Sequence, residues 1–331
     1  MTTYLVTGTA GFIGFHVARR LLADGHAVVG LDNLNDYYPV VLKRARHAEL
    51  RKCGGFTPVE ADLCDIETLR AAVRQHRPEV VCHLAAQAGV RYSLTHPLAY
   101  ERSNLLATLN VLEVCRHESV RRLVYASSSS VYGGNRELPF SETQSVDLPV
   151  SLYAATKKAN ELMAHVYTHL FGLQTIGLRF FTVYGPWGRP DMAMWLFTEA
   201  MTQGRPIQVF NYGKMRRDFT YIDDIVAGVV ASMQVKGIDP YEIFNLGNHR
   251  SEDLMHLIGI LERELGVKAK KEMLPMQPGD VPATYADIDR ARAKLGYEPT
   301  TPIEVGVPKF IAWYRENADL IAKIRAEQRG K

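Results

Sequence analysis

Tyr153 and Lys157 stand four positions apart in Tyr153-Ala154-Ala155-Thr156-Lys157, within a stretch whose apolar spacing predicts a helix over residues 152–170. On a helix that separation puts a phenol and an ammonium on one face, one turn apart. A nearby positive charge favours the phenolate and lowers a tyrosine pKa that starts at about 10, so Tyr153 could act as a base near neutral pH. A tyrosine and a lysine on a solvated helix face would show the same spacing, so the pair needs a second signal. Upstream lies Ser127-Ser128-Ser129-Ser130-Val131-Tyr132-Gly133, at the end of an apolar run. Hydroxyls at the C-terminal end of a parallel strand sit where such sheets bind ligands. Read alone, that run is equally a plain serine-rich loop.

A second signal opens the chain. The strand-like run Tyr4-Leu5-Val6 leads into Gly8-Thr9-Ala10-Gly11-Phe12-Ile13-Gly14, then into a helical pattern carrying Phe15, Val17, Ala18, Leu21 and Leu22. Glycines let the backbone turn tightly and approach a pyrophosphate, whose charge faces the free N–H groups of the helix N-terminus. The spacing is GxxGxxG, one residue longer between the first two glycines than the dinucleotide fingerprint, and a ligand-free turn would read the same. Asp32 adds to it. It follows the second predicted strand, 18 positions after Gly14, where a carboxylate can accept hydrogen bonds from both adenosine ribose hydroxyls. Asn33 comes next, with no arginine adjacent for a 2′-phosphate, so the expected cofactor is NAD rather than NADP. Asp32 as a simple turn residue explains less.

The elements that must position these groups follow from hydrophobic rhythm. Short apolar runs at residues 4–6, 27–31, 80–84, 123–126 and 175–178 suit strands buried on both faces, hence a doubly wound parallel α/β sheet of the Rossmann type. Helices are predicted between them, among them 66–75 with Asp65 as N-cap, and 99–116. After Leu178 prolines and glycines cluster, and the chain is expected to leave the nucleotide domain there. A helix over 221–233 returns to the sheet. The expected division is a cofactor domain of residues 1–180 and about 214–246, and a smaller α/β substrate domain of about 181–213 and 247–331.

Composition sets limits. The 331 residues are 47% hydrophobic and 23% charged with net charge +3, a globular balance that gives no reason to expect nucleic acid or a membrane as partner. Cys53, Cys64, Cys82 and Cys115 lack the spacing of a zinc site or disulfide framework, so no metal is expected and a cytoplasmic location is. No export signal or membrane anchor is read at the N-terminus.

Taken in order, Gly8 to Gly14, Asp32, Asp62-Leu63, His83-Leu84-Ala85-Ala86, the serine run, Tyr153 to Lys157, and Arg179-Phe180-Phe181-Thr182-Val183-Tyr184-Gly185-Pro186 resemble the extended short-chain dehydrogenases over nearly the whole chain. Three stretches narrow the resemblance to the UDP-glucuronate 4-epimerases: Leu31-Asp32-Asn33-Leu34-Asn35-Asp36-Tyr37-Tyr38, Gln87-Ala88-Gly89-Val90-Arg91-Tyr92-Ser93, and Tyr184-Gly185-Pro186-Trp187-Gly188-Arg189-Pro190-Asp191-Met192. It implies NAD held by Gly8, Gly11, Phe12, Ile13, Gly14, Asp32, Asn33, Asn35, Lys43, Asp62, Leu63, Leu84, Ala85, Ala86, Gln87, Asn104, Ser127, Phe180 and the catalytic Tyr153 and Lys157. Ser128 would bind the sugar 4-hydroxyl beside Tyr153. Gln208, Arg217 and Asp280 would meet the nucleotide half of a UDP-sugar, and Arg217 has the clearest physical case because a diphosphate needs a cation. Thr182 departs from the asparagine usual in UDP-galactose epimerases.

The implied reaction interconverts UDP-glucuronate and UDP-galacturonate through transient oxidation at C4. A dehydratase would need an Asp-Glu pair after the catalytic hydroxyl, where this chain has Ser129 and Ser130, and the glutamate usual in a decarboxylase is missing too. Arg91 or Arg189, with Ser129, Ser130 and Thr182, is expected to pin the uronate carboxylate. An epimerase of UDP-glucose or UDP-N-acetylhexosamine, a decarboxylase and a non-catalytic NAD sensor are the competing readings. A homodimer is expected through the 99–116 and Tyr153-bearing helices, which carry Leu105, Leu109, Leu112, Leu162, Met163 and Val166.

Overall fold

Seven strands form one parallel sheet in a computed structural model that describes residues 1–277 and 279–330. From edge to edge they are Tyr241–Leu246, Gln174–Phe180, Arg122–Ser128, Val80–His83, Thr3–Thr7, Ala27–Asp32 and Phe56–Glu60. The five strands expected from apolar runs are all present. Two were not read: Phe56–Glu60 exposes part of its side chains at the sheet edge, and the apolar run of Tyr241–Leu246 is broken by Glu242 and Asn245.

Alternation along each strand assigns its side chains to two faces. Tyr4, Val6, Val80, Cys82 and Val124 join one buried cluster, whereas Leu5, Val81, Leu123 and Tyr125 join another. Both faces are therefore covered, the doubly wound arrangement. Helices Phe12–Ala23, Val40–Arg51 and Ile222–Gln234 pack on the first face; Ile66–His76, Ala107–His117 and Leu152–Phe171 pack on the second. Asp65 caps Ile66–His76 as expected, its carboxylate accepting the Thr68 N–H at 3.2 Å. The first cluster continues without a break into the C-terminal segments through Ile207, Val209, Leu257, Phe310 and Trp313.

The single helix expected over 99–116 is three pieces: Pro97–Tyr100, a π-helical turn Glu101–Leu106, and Ala107–His117. That wider turn carries Asn104, and such turns recur at functional sites. Leu112, named among the apolar residues of the expected dimer helices, is fully buried in the core, while Leu109, Leu162 and Val166 are 39%, 56% and 46% exposed. Among the described residues no helix is long and apolar enough to cross a membrane.

Candidate active site

The strand order reverses between Thr3–Thr7 and Val80–His83. Loops leaving their carboxyl ends diverge there, which is where open parallel sheets bind ligands. A cleft of about 390 Å³ opens at this point, and its wall runs from Asp62 and Leu63 at one end to Tyr153, Lys157, Thr182 and Arg189 at the other.

At the first end Gly8 turns with φ +76°, and a Cβ there would lie 2.8 Å from the Ala85 nitrogen. A side chain on Gly14 would collide with the Gly8 carbonyl oxygen. The loop is thus a bare-backbone cradle before the helix Phe12–Ala23. Asp32 uses one oxygen to accept the Ala10 N–H at 2.9 Å and the other to accept the Leu34 N–H at 2.8 Å. Each carboxylate oxygen keeps a further lone pair for a ribose hydroxyl. Lys43 donates to the Asn35 carbonyl and side-chain oxygens at 2.6 and 2.7 Å, and burial lowers its pKa to about 8 against the pull of Asp32. This donor set and cradle fit a dinucleotide. Under the floor, His83 bridges Thr7 and Thr108, and burial holds its pKa at about 3, so it is neutral.

At the far end Lys157 is buried and donates to the Ala126 carbonyl at 2.9 Å; burial lowers its pKa to about 8. The Tyr153 phenol is raised above its ordinary 10.0 by burial, with Ser128 and the Arg189 charge pulling it back. The Lys157 ammonium is held by the strand carbonyl, one helical turn beyond Tyr153. The Ser128 hydroxyl accepts the Ser130 N–H at 3.1 Å and donates to the Ser130 hydroxyl at 3.2 Å. Tyr100 packs edge-on to Tyr153 with ring centres 6.0 Å apart.

Nearly all the expected cofactor residues line this cleft: Gly8, Gly11, Phe12, Ile13, Gly14, Asp32, Asn33, Asn35, Lys43, Asp62, Leu63, Leu84, Ala85, Ala86, Gln87, Ser127, Tyr153, Lys157 and Phe180. Asn104 does not. It is buried behind the wall, accepting the Gln87 N–H at 2.8 Å and donating to the Gln87 carbonyl and the Thr156 hydroxyl at 3.0 Å each, so it braces the site. Ser128, Ser129, Ser130, Thr182 and Arg189 also line the cleft.

Arg91, Gln208, Arg217 and Asp280 stand outside that wall. Arg217 pairs with Asp280 at 2.5 Å, and Arg91 lies 4.8 Å above the Phe210 ring, close enough for its charge to work against that of Arg217. Gln208 is exposed on the strand Ile207–Val209, two residues before Phe210. Arg91 follows Val90 of the cleft wall and Asp280 follows Gly279, which packs against Val90, so Arg91, Arg217 and Asp280 adjoin the cleft. Of the two arginines expected near a carboxylate, Arg189 is therefore the one beside Tyr153.

Several lining or supporting residues carry no signal of their own. Arg46 is fully buried and donates to the Ala10, Trp187 and Gly188 carbonyls, tying the glycine loop to the segment before Arg189. On sequence it is one more basic residue in an amphipathic helix. Tyr37 and Asp191 also belong here, and both lay within stretches that supported the family resemblance.

The family model described as NAD dependent epimerase/dehydratase family matches residues 4–247. The chain is 47% identical to a probable UDP-glucuronate 4-epimerase of Rhizobium meliloti, over 95% of this chain and 97% of that one. It is 50% identical to UDP-glucuronate 4-epimerase 1 of Arabidopsis thaliana, over 94% and 76% respectively. A crystal structure of UDP-glucuronic acid 4-epimerase from Bacillus cereus, in complex with UDP-glucuronic acid and NAD, superposes with a TM-score of 0.89 at 34% identity, covering 95% of this chain and 99% of that one.

Proposed function

The chain belongs to the NAD dependent epimerase/dehydratase family, and from that premise we propose that it interconverts UDP-glucuronate and UDP-galacturonate through transient oxidation at C4. The observation that carries this reading is the far end of the cleft, where Ser128, Tyr153 and Lys157 face Ser129, Ser130, Thr182 and Arg189 across one cavity. An acid–base group and a carboxylate-binding set thus share a site.

Bound NAD supplies the acceptor for the C4 hydride and its return to either face of the ring. Its adenosine end is assigned to Asp32, Asn33, Asn35, Lys43, Asp62 and Leu63, its pyrophosphate to the Gly8–Gly14 cradle, and its nicotinamide ribose to Lys157. Ser128 holds the sugar 4-hydroxyl, and Tyr153 as phenolate takes its proton, then gives it back once the 4-keto sugar presents its other face. Arg91, Gln208, Arg217 and Asp280 hold the uridine diphosphate at the mouth. Residues 1–180 and about 214–246 make up the cofactor domain in this reading; about 181–213 and 247–331 make up the substrate domain.

Oxidation of a uronate at C4 gives a β-keto acid, which loses CO2 when its carboxylate bond aligns with the carbonyl π system. Arg189 with Ser129, Ser130 and Thr182 holds the carboxylate out of that alignment. Neither serine can serve as the acid or base that elimination of a 6-hydroxyl requires. The protein works in the cytoplasm, where nucleotide sugars and NAD are supplied, and forms a homodimer through helices Ala107–His117 and Leu152–Phe171, whose Leu109, Leu162 and Val166 are exposed.

The test is a screen of purified protein against UDP-glucuronate, UDP-glucose and UDP-N-acetylglucosamine. Conversion of the first, with NAD not consumed, supports the reading. Preference for either neutral sugar, or tight NAD with no turnover of any, removes it.

A further inference from the structure

Hydrogen bonds link Asn33, at the cofactor end of the cleft, to Arg189 through Asn35, Tyr37 and Asp191, with a separate turn at Asp32 beside them. The Leu34 N–H donates to Asp32 at 2.8 Å, the Asn35 N–H to Asn33 at 3.1 Å, and the Tyr37 N–H to Asn35 at 3.3 Å. Each side-chain oxygen catches the backbone two residues on, which stiffens the loop into one unit. Lys43 grips the same Asn35 through two oxygens. From this loop the Tyr37 hydroxyl crosses to the segment after Trp187 and donates to Asp191 Oδ2 at 3.0 Å. Asp191 in turn takes Arg189 through both oxygens, Nε at 3.0 Å and Nη2 at 2.5 Å.

That side-on grip fixes the plane of the guanidinium and leaves its remaining N–H groups free to face the cleft. Tyr37 shares the oxygen that Nη2 uses, so its proton competes for the negative charge that offsets Arg189. Burial and the charge of Asp191 hold the Tyr37 phenol well above its usual range, which keeps it a donor. Tyr37 is itself wedged in place, edge-on to Tyr92 at 4.8 Å and against Gly89, where a Cβ would lie 3.0 Å from its hydroxyl.

We propose that Tyr37 is a positioning residue that couples the cofactor loop to recognition of the uronate carboxylate, by setting the orientation and net charge of Arg189 through Asp191. This rests on the assignment of Arg189 to the carboxylate. It makes NAD and UDP-glucuronate mutually favourable ligands in a way that NAD and UDP-glucose are not, because only the uronate draws on Arg189. By linkage the effect is reciprocal.

The experiment measures equilibrium affinity of the NAD-loaded protein for UDP-glucuronate and for UDP-glucose, and the share of product appearing as a UDP-pentose. In Tyr37→Phe, affinity for UDP-glucuronate is expected to fall about tenfold, the lower end for loss of one hydrogen bond to a charged group, with UDP-glucose unaffected and the pentose share raised. Asp191→Asn releases the orientation of Arg189 and raises the pentose share, but it also removes the offsetting charge, so affinity for UDP-glucuronate falls less than in Tyr37→Phe. The double variant Tyr37→Phe/Arg189→Gln is no weaker for UDP-glucuronate than Arg189→Gln alone, since the two act through one contact. NAD affinity of the unaltered protein rises more with UDP-glucuronate than with UDP-glucose, and Tyr37→Phe erases that difference.

Equal loss for both sugars in Tyr37→Phe, or additive losses in the double variant, overturns the coupling while leaving Arg189 in its role. If Arg189→Gln does not separate the two sugars either, the carboxylate assignment itself is wrong and the coupling falls with it.

Discussion

The Ser127 hydroxyl donates to Glu161 Oε1 at 2.6 Å, so the strand end bearing Ser128 is fastened to the helix bearing Tyr153 and Lys157. Glu161 lies one turn beyond Lys157 and also takes Arg179 Nε and Nη2 at 2.8 and 2.9 Å. Arg179 continues to the Tyr132 hydroxyl at 3.1 Å, which donates to Asn245 at 2.7 Å. Three sheet strands and the catalytic helix thereby meet in one buried network, and the separation of Ser128 from Tyr153 is set by it.

Glu161→Gln keeps an acceptor for Ser127 but leaves the buried Arg179 charge without its partner. Breaking one side of such a pair costs about 3–5 kcal/mol. Chemical denaturation should show a loss of that order, and the double replacement Glu161→Leu/Arg179→Met should recover a large part of it.

Lys157 should make stability depend on pH in the alkaline range. Its folded pKa of about 8 lies below the ordinary 10.5, so the unfolded chain binds more protons between those values and stability rises with pH across that window. Below about pH 8 the folded state carries the whole penalty of a buried ammonium. At about 1.36 kcal/mol per pH unit the gap amounts to roughly 3 kcal/mol, less the hydrogen bond to Ala126. Lys157→Met is therefore expected to unfold at higher denaturant than the unaltered protein at pH 7, to lose that advantage by about pH 10.5, and to be inactive throughout.

Gly14→Ala should remove the cofactor without unfolding the chain. Its backbone is helical, so the penalty comes from collision with the Gly8 carbonyl, which is the floor of the pyrophosphate cradle. Purified protein should carry little NAD by absorbance after denaturation. Gly172→Ala is the control, since that glycine has φ +68° and open space around it; it should cost about 1 kcal/mol and keep its cofactor.

What sequence made legible and what it did not divide along physical lines. Gly8, Asp32, Ser128, Tyr153 and Lys157 were readable because each is a residue type tied to a spacing, and a spacing is local. The parallel sheet was readable for the same reason, through apolar runs buried on both faces. Arg46 and Glu161 were not, and Asn104 was expected at the cofactor rather than as a brace behind the wall, because their roles depend on partners far along the chain. Arg46 reaches Trp187, and Glu161 reaches Arg179 and Ser127. Helical spacing places Lys157 one turn from Tyr153 but says nothing of the Ala126 carbonyl that takes a hydrogen bond from its ammonium.

Tyr153→Phe tests the account most directly, with conversion of UDP-glucuronate to UDP-galacturonate followed alongside binding of both NAD and the sugar nucleotide. Turnover should fall about a thousandfold, within the range for loss of a general base, while both affinities stay within a few-fold of the unaltered protein. A variant that still epimerises at a comparable rate would contradict the assignment of the proton-transfer step to this phenol.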